Sequence, residues 1–172
     1  MRKLSHEQIV NRQEALSQKP LPLTVILNNI RSLHNVGSIF RTADGAGVEK
    51  IWLCGITCYP PDSQIAKTAL GAQTRVAWDH AYDAKEVILD LKKCGYQVVL
   101  LEQTDMSVSY HEFSPQFPVC LVLGNEIEGV SEELVGLSDA SVEIAMAGHK
   151  NSLNVGVAFG VVAYHFRNCL KN

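Results

Sequence analysis

Five short aliphatic runs limit what this chain can fold into: LTVIL at 23–27, KIWLC at 50–54, QVVLL at 97–101, VCLVL at 119–123 and VEIAM at 142–146. They are rich in Val, Ile and Leu, and mostly without alternation of apolar and polar residues. A strand wet on one side alternates, whereas a strand covered on both sides does not. The runs therefore predict strands Leu23–Leu27, Lys50–Cys54, Gln97–Leu101, Val119–Leu123 and Val142–Met146, buried on both faces as in a parallel sheet. Helical patterns separate them. Val36, Ile39, Phe40 and Ala43 recur at i, i+3, i+4 and i+7, with Asn35 as the expected N-cap and Gly45 or Gly47 as the stop. Asp83 stands where it would cap a second helix, with Val87, Ile88 and Leu91 inward and Gly95 at its end. Ser131 opens a short helix, and the last helix follows Ser152. Strands alternating with helices predict an α/β fold with a mostly parallel sheet flanked by helices.

The chain's 172 residues make one domain with a real core the economical expectation. Residues 1–20 read as an N-terminal helical extension ending before Pro20 and Pro22, and residues 21–172 as the domain itself. A hydrophobic content of 47% with 19% charged residues fits a globular chain rather than a disordered one. The opening MRKLSHEQIVNRQEAL has charges but no apolar core of the kind a signal peptide needs. The apolar stretch Leu153–Phe166 is too short for a bilayer and contains Asn154 and His165, so no membrane association is expected. Five cysteines at unpatterned positions suggest a reducing compartment, the cytoplasm. Cys54 and Cys58 lack a second pair or a histidine cluster, and no metal is expected.

A net charge of −3 argues against indiscriminate coating of nucleic acid. The charge is uneven, however. Residues 1–75 carry nine Lys/Arg against five Asp/Glu, and residues 76–172 carry six against thirteen. The N-terminal part is the one suited to facing a polyanion.

The familiar cofactor signatures are absent. No GxGxxG follows the first strand, and neither GxxxxGK[ST] nor GxSxG occurs. Chemistry must come from elsewhere, and three strand ends offer it. NNIRSLHNVGSIFRTADGAG, residues 28–47, follows the first strand with Arg31, Asn35 and then Arg41 on the flank of an apolar helix face. LVLGNEIEGVS, residues 121–131, ends a buried strand in Gly124, Asn125 and Glu126, where glycine lets backbone approach a ligand. SVEIAMAGHKNSLNVGVAFGVVAYHF, residues 141–166, passes through a polar turn into a helix with little polar surface. A helix apolar nearly all round is expected to be buried, holding Ser152 and Asn154 of its first turn near the interior. In parallel α/β folds, ligands sit at the carboxyl ends of the strands, so the three turns predict one crevice.

These three stretches, in this order, spacing and strand–loop–helix context, resemble motifs one, two and three of the SpoU/TrmH branch of the SPOUT RNA methyltransferases. The resemblance covers residues 22–168. It implies a C-terminal trefoil knot, a homodimer, S-adenosyl-L-methionine as methyl donor, and methylation of a ribose 2′-OH in tRNA or rRNA. It places the family's catalytic and orienting positions on Asn35, Arg41, Glu126, Ser152 and Asn154. Its cofactor positions fall on Leu101, Gly124, Asn125, Ile144, Met146, Gly148 and Leu153. Arg41 is expected on the RNA side, gripping a phosphate and contacting the 2′-oxygen. Arg31 and Arg75, with Lys67, are the further expected RNA contacts, whereas Lys85, Lys92 and Lys93 are not. Two departures stand out: Ala145 where the motif commonly has Pro, and NVGVAFG where NVSVAAA is usual. A non-catalytic knotted RNA-binding module and a small-molecule α/β enzyme are the alternatives. The first is disfavoured by the joint presence of Asn35, Arg41, Glu126, Ser152 and Asn154. The second predicts no dependence on RNA.

Overall fold

A computed structural model describes residues 1–16 and 20–170. Its elements run α1 (His6–Leu16), β1 (Leu21–Asn28), α2 (Leu33–Ala46), β2 (Val48–Cys54), α3 (Ser63–Ala69), β3 (Ala77–Ala81), α4 (Ala84–Lys93), β4 (Gln97–Leu101), β5 (Val108–Ser109), β6 (Val119–Leu123), α5 (Glu132–Val135), β7 (Ala140–Glu143) and α6 (Val155–Cys169). The expected N-terminal helix is α1, and its predicted end falls partly on residues 17–19, outside the described residues.

The strands form one sheet in the order β3-β2-β1-β6-β4-β7-β5, and all the named pairs are parallel. Both faces are covered. Leu23, Val25 and Leu27 of β1, with Leu121 and Leu123 of β6, pack against Ile39 and Phe40 of α2 and Phe159, Val162 and Phe166 of α6. Ile26, Val98, Leu100 and Val122 point the other way, toward Val87 and Ile88 of α4 and Leu134 of α5. This two-sided cover is why the strands read as unbroken aliphatic runs.

Local signals set the helix ends. Ser32, not Asn35, caps α2: its hydroxyl accepts the Asn35 N–H, and Asn35 lies inside the helix. Gly47 closes α2 in the left-handed region at φ 71°, with its N–H bonded to the Ala43 and Asp44 carbonyls. Asp83 caps α4 as expected, accepting the Lys85 N–H. The run VEIAM is strand only as far as Glu143, the last residue with a partner on β5. Ile144 to Met146 have left the sheet. The last helix begins at Val155, so Ser152 and Asn154 precede it rather than form its first turn, and both are exposed. Nor is α6 enclosed. Its inner face belongs to the core, but Val157 is 54% and Tyr164 49% exposed.

Candidate active site

A cavity of about 570 Å³ opens at the carboxyl ends of β4, β6 and β7. Three turns wall it, one after each of those strands. They contribute Glu102 and Gln103, then Gly124 to Val130, then Ile144 and the segment Asn151–Asn154. Leu101, Leu123, Val135 and Ala158 supply apolar walls.

Glu126 is the hub that ties the turn after β1 to the turn after β6. Its Oε1 accepts the Asn35 side-chain amide at 3.0 Å and the Ser32 N–H at 3.1 Å; its Oε2 accepts the Arg31 N–H at 3.0 Å. Partial burial pushes the Glu126 carboxyl up. The hydrogen bonds from Arg31, Asn35 and Ser32 outweigh that and hold it below its ordinary value. Asn35 passes the connection on, its Oδ1 accepting the Asn154 amide at 2.9 Å. Asn154 in turn caps α6, its Oδ1 accepting the N–H groups of Gly156 at 3.0 Å and Val157 at 3.4 Å.

Asn125 braces the second turn in parallel. It donates to the Asn29 carbonyl at 2.8 Å, and its Oδ1 accepts the Ile127 and Glu128 N–H groups. Gly124 is required by its own chain. A Cβ there would overlap the backbone of Gly129 and Val130, which folds back against it in an isolated bridge between Asn125 and Gly129.

The expected site residues therefore divide. Leu101, Gly124, Asn125, Glu126, Ile144, Ser152, Leu153 and Asn154 line the cavity. Asn35 and the Arg31 backbone join it through Glu126. Met146 and Gly148 are not among its lining residues, since both lie on the segment that has left the sheet; Gly148 stands in open space. Arg41 is exposed on α2, about two turns past the helix start, and outside the cavity of its own chain.

Arg75 is not brought to the site at all. It precedes β3, at the amino edge of the sheet, and its guanidinium forks onto Asp44 at 3.2 and 2.9 Å. Between Leu21 and Leu170 the cations divide in the same manner. Lys50, Arg75, Lys85, Lys92 and Lys93 have carboxylate partners. Arg31, Arg41, Lys67 and Lys150 are exposed and have none among the described residues.

Sequence reasoning missed Glu102 and Glu143. Glu102 accepts the Val130 N–H at 3.0 Å and the Gln103 N–H at 2.8 Å, fixing the second turn from the β4 side. Glu143 accepts the Ser107 hydroxyl at 2.7 Å. Both stand at the carboxyl ends of buried strands, the rule that singled out the other turns. With Glu126 and Glu128 they give the cavity four carboxylates, and no Lys, Arg or His among the described residues lines it. No group of carboxylates, histidines or cysteines among the described residues converges as a metal site. The cavity thus suits a cationic organic ligand. From Ala145 to Lys150 the backbone groups have no partner among the described residues and are free to bind one.

Residues 22–164 match the model of the SpoU rRNA Methylase family. The chain is 31% identical over 156 residues to a tRNA (guanosine(18)-2′-O)-methyltransferase of Aquifex aeolicus, covering 88% of this chain and 72% of that one. Among solved structures, it superposes on an AdoMet-bound rRNA methyltransferase from Sinorhizobium meliloti with TM-score 0.79 and 30% identity, covering 87% of this chain and 60% of that one. A TrmH/SpoU tRNA modifying enzyme of A. aeolicus gives TM-score 0.82 at 28% identity, covering 96% of this chain and 84% of that one. The chain thus spans between 60% and 84% of the length of these relatives.

Proposed function

The chain belongs to the SpoU rRNA methylase family, and from that premise we propose that it transfers a methyl group from S-adenosylmethionine to a ribose 2′-OH of tRNA or rRNA. The observation that carries this reading is the Glu126–Asn35–Asn154 chain of hydrogen bonds, which ties the segments after β1, β6 and β7 together at the edge of one cavity. Four carboxylates and, among the described residues, no cation line that cavity, which suits a sulfonium ligand. When bound, that cofactor supplies an already activated methyl group. The protein's remaining tasks are to orient the 2′-hydroxyl and help remove its proton.

In this reading Leu101, Leu123 and Leu153 provide the apolar surface for the cofactor. The backbone of the second and third turns, including Ile144, provides hydrogen-bonding groups. Met146 and Gly148 join only if the 145–150 segment folds onto the ligand. Asn35, Glu126 and Asn154 hold the turns in register, and Ser152 stands exposed beside them on the substrate side. Arg41 meets the RNA, its fork gripping a phosphate next to the reacting ribose.

The reading includes the knotted C-terminal segment and the homodimer that the family resemblance implies. Val157 and Tyr164 stand exposed on α6 with half-buried Val161 between them, apolar surface of the kind self-association requires. Arg41 lies near that side on α2, outside its own cavity, so the dimer would present it to the partner's cavity. Among the described residues no helix is long and apolar enough to cross a membrane. The reading assigns the protein to the cytoplasm.

A calorimetric titration with S-adenosylhomocysteine, with and without total tRNA and rRNA, tests this assignment. Binding in both cases, together with an RNA complex, is the expected result. An RNA complex without cofactor binding would leave only a non-catalytic RNA-binding module. Cofactor binding without any RNA complex would favour a small-molecule enzyme.

A further inference from the structure

Strand β3 carries an aromatic row that none of the chemistry above uses. Trp78 and His80 alternate along it and so share one face of the sheet edge, and Tyr82, just past its end, meets the His80 ring. Tyr59, from the turn after β2, packs on two of them, 4.5 Å from His80 and 6.1 Å from Trp78 between ring centres. His80 meets Tyr82 edge-on at 5.2 Å. Trp78 rests against the core at one end of the row, and exposure rises toward the tyrosines. Tyr82 is 91% and Tyr59 47% exposed. Trp78 also lines a second cavity, of about 550 Å³, together with Pro60, Pro61 and Ala66. A contiguous exposed aromatic surface of this kind marks a binding site.

The strand is not built to pair with another strand. It is the outermost in the sheet, yet its Asp79 carboxylate caps the His80 N–H at 2.9 Å and meets Lys50 at 3.6 Å. A charge on an edge strand opposes strand addition, so the rings rather than the backbone offer the contact. The neighbouring acids are also occupied, Asp62 capping α3 and Asp83 capping α4. Unpaired positive charge lies alongside. Lys67 projects from α3, and Arg31 follows β1, two strands from β3 and therefore about 10 Å away across the same carboxyl edge. Exposed rings beside unpaired cations make up the surface on which single-stranded nucleic acid stacks its bases and lays its phosphates.

We infer that Tyr59, Trp78, His80 and Tyr82 form a stacking platform for unpaired bases of the RNA, beside the nucleotide presented to the cavity. This rests on the RNA reading above and extends it to a single-stranded segment of the substrate. Lys67 and Arg31 hold the phosphates between platform and cavity. Duplex RNA has no free base faces to offer, so the platform selects a loop or an unstacked end.

The test uses the intact protein, fluorescein-labelled oligouridylate and oligoadenylate as single-stranded probes, and a duplex of matched length. Wild type is expected to bind the single strands with quenching of tryptophan emission, and the duplex more weakly. Tyr59→Ala with Tyr82→Ala should weaken single-strand binding roughly tenfold per ring. Tyr82→Phe should leave it unchanged, since the ring and not the hydroxyl is used. S-adenosylhomocysteine affinity should be the same in all variants. If wild type binds and methylates total RNA while the double alanine variant binds the single strands equally well, the platform is overturned and the methyltransferase reading stands. If wild type binds no RNA of any kind, both fall. A change in oligomeric mass with unaltered RNA affinity would make the rings a protein interface, which also overturns the proposal.

Discussion

Asn154 donates its side-chain amide to Asn35 Oδ1 at 2.9 Å, although 119 residues separate them. The same Asn154 side chain caps α6 through its oxygen. One residue thus starts a helix and ties it to the turn after β1. The two roles separate by substitution. Asn154→Ala should lower stability by about 1 kcal/mol through the lost cap and also loosen the site. Asn154→Ser should keep the cap, and with it most of the stability, while losing the reach to Asn35. Thermal unfolding and methyl transfer measured together check this: the serine variant should melt close to wild type yet turn over more slowly.

Glu126 makes the site sensitive to acid. Its folded-state pKa lies below the ordinary 4.5 because three donors favour the carboxylate over the effect of burial. A depressed pKa contributes stability that is present above the unfolded value and is lost as pH falls through the folded one. Wild type should therefore lose stability below about pH 4.5 more steeply than Glu126→Gln. At neutral pH the glutamine variant should be less stable by about 1 kcal/mol, because its NH₂ faces the Arg31 N–H. Urea unfolding across the acid range reads both effects. Parallel pH curves for the two proteins would remove Glu126 from that role.

Arg41 is exposed and has no carboxylate partner among the described residues. Arg41→Ala should leave folding and S-adenosylhomocysteine affinity unchanged within error. Methyl transfer should fall by about 10²-fold or more, the loss expected for a contact made in the transition state. Turnover measured under saturating cofactor distinguishes this from a binding defect.

The unpaired cations should also dominate the salt dependence of RNA binding. Replacing Arg31 or Lys67 by alanine should reduce the slope of log affinity against log salt by about one unit each. Arg75→Ala and Lys92→Ala should leave the slope unchanged, since both side chains already serve a carboxylate. Equal losses at all four positions would point to a different face.

Val157 and Tyr164 stand seven residues apart on one stripe of α6, each about half exposed. Val157→Glu with Tyr164→Glu should convert a homodimer to monomers of 18.9 kDa, as read by light scattering. If the unmodified protein is itself a monomer at micromolar concentration, the shared site falls with the dimer.

How much of this was readable beforehand depended on what surrounds each segment. Four of the five aliphatic runs are strands throughout because they are packed from both sides, and burial on both faces leaves a plain signal; VEIAM leaves the sheet after Glu143. Strand β3, AWDHA, was not readable, since it lies at the sheet edge and its residues are exposed or half-buried. Helix α3 turns only Ile65 and Ala69 inward, too few positions to show a period. In NNIRSLHN, Ser32 and Asn35 are both good caps, and the expectation of Asn35 was wrong because Ser32 takes the role. Asn35 is drawn inside the helix because its amide is needed by Glu126, 91 residues away. Gly124 was legible as a tight place but not as to what fills it, which is the chain's own Gly129. The three turns were recognisable as a site because polar residues at the ends of buried strands have few other uses. Their hydrogen-bond partners, and the separation of Arg75 from them, required the tertiary structure.

The central claim is methyl transfer to a ribose hydroxyl, and nucleoside analysis tests it most directly. Total tRNA and rRNA from cells lacking this protein would be incubated with it and isotopically labelled S-adenosylmethionine, then digested and resolved by mass spectrometry. The account predicts label in a 2′-O-methylated nucleoside, at a single position in the RNA, and its loss with Arg41→Ala. Label on a base alone, or no transfer to either RNA by a protein that binds S-adenosylhomocysteine, would contradict it.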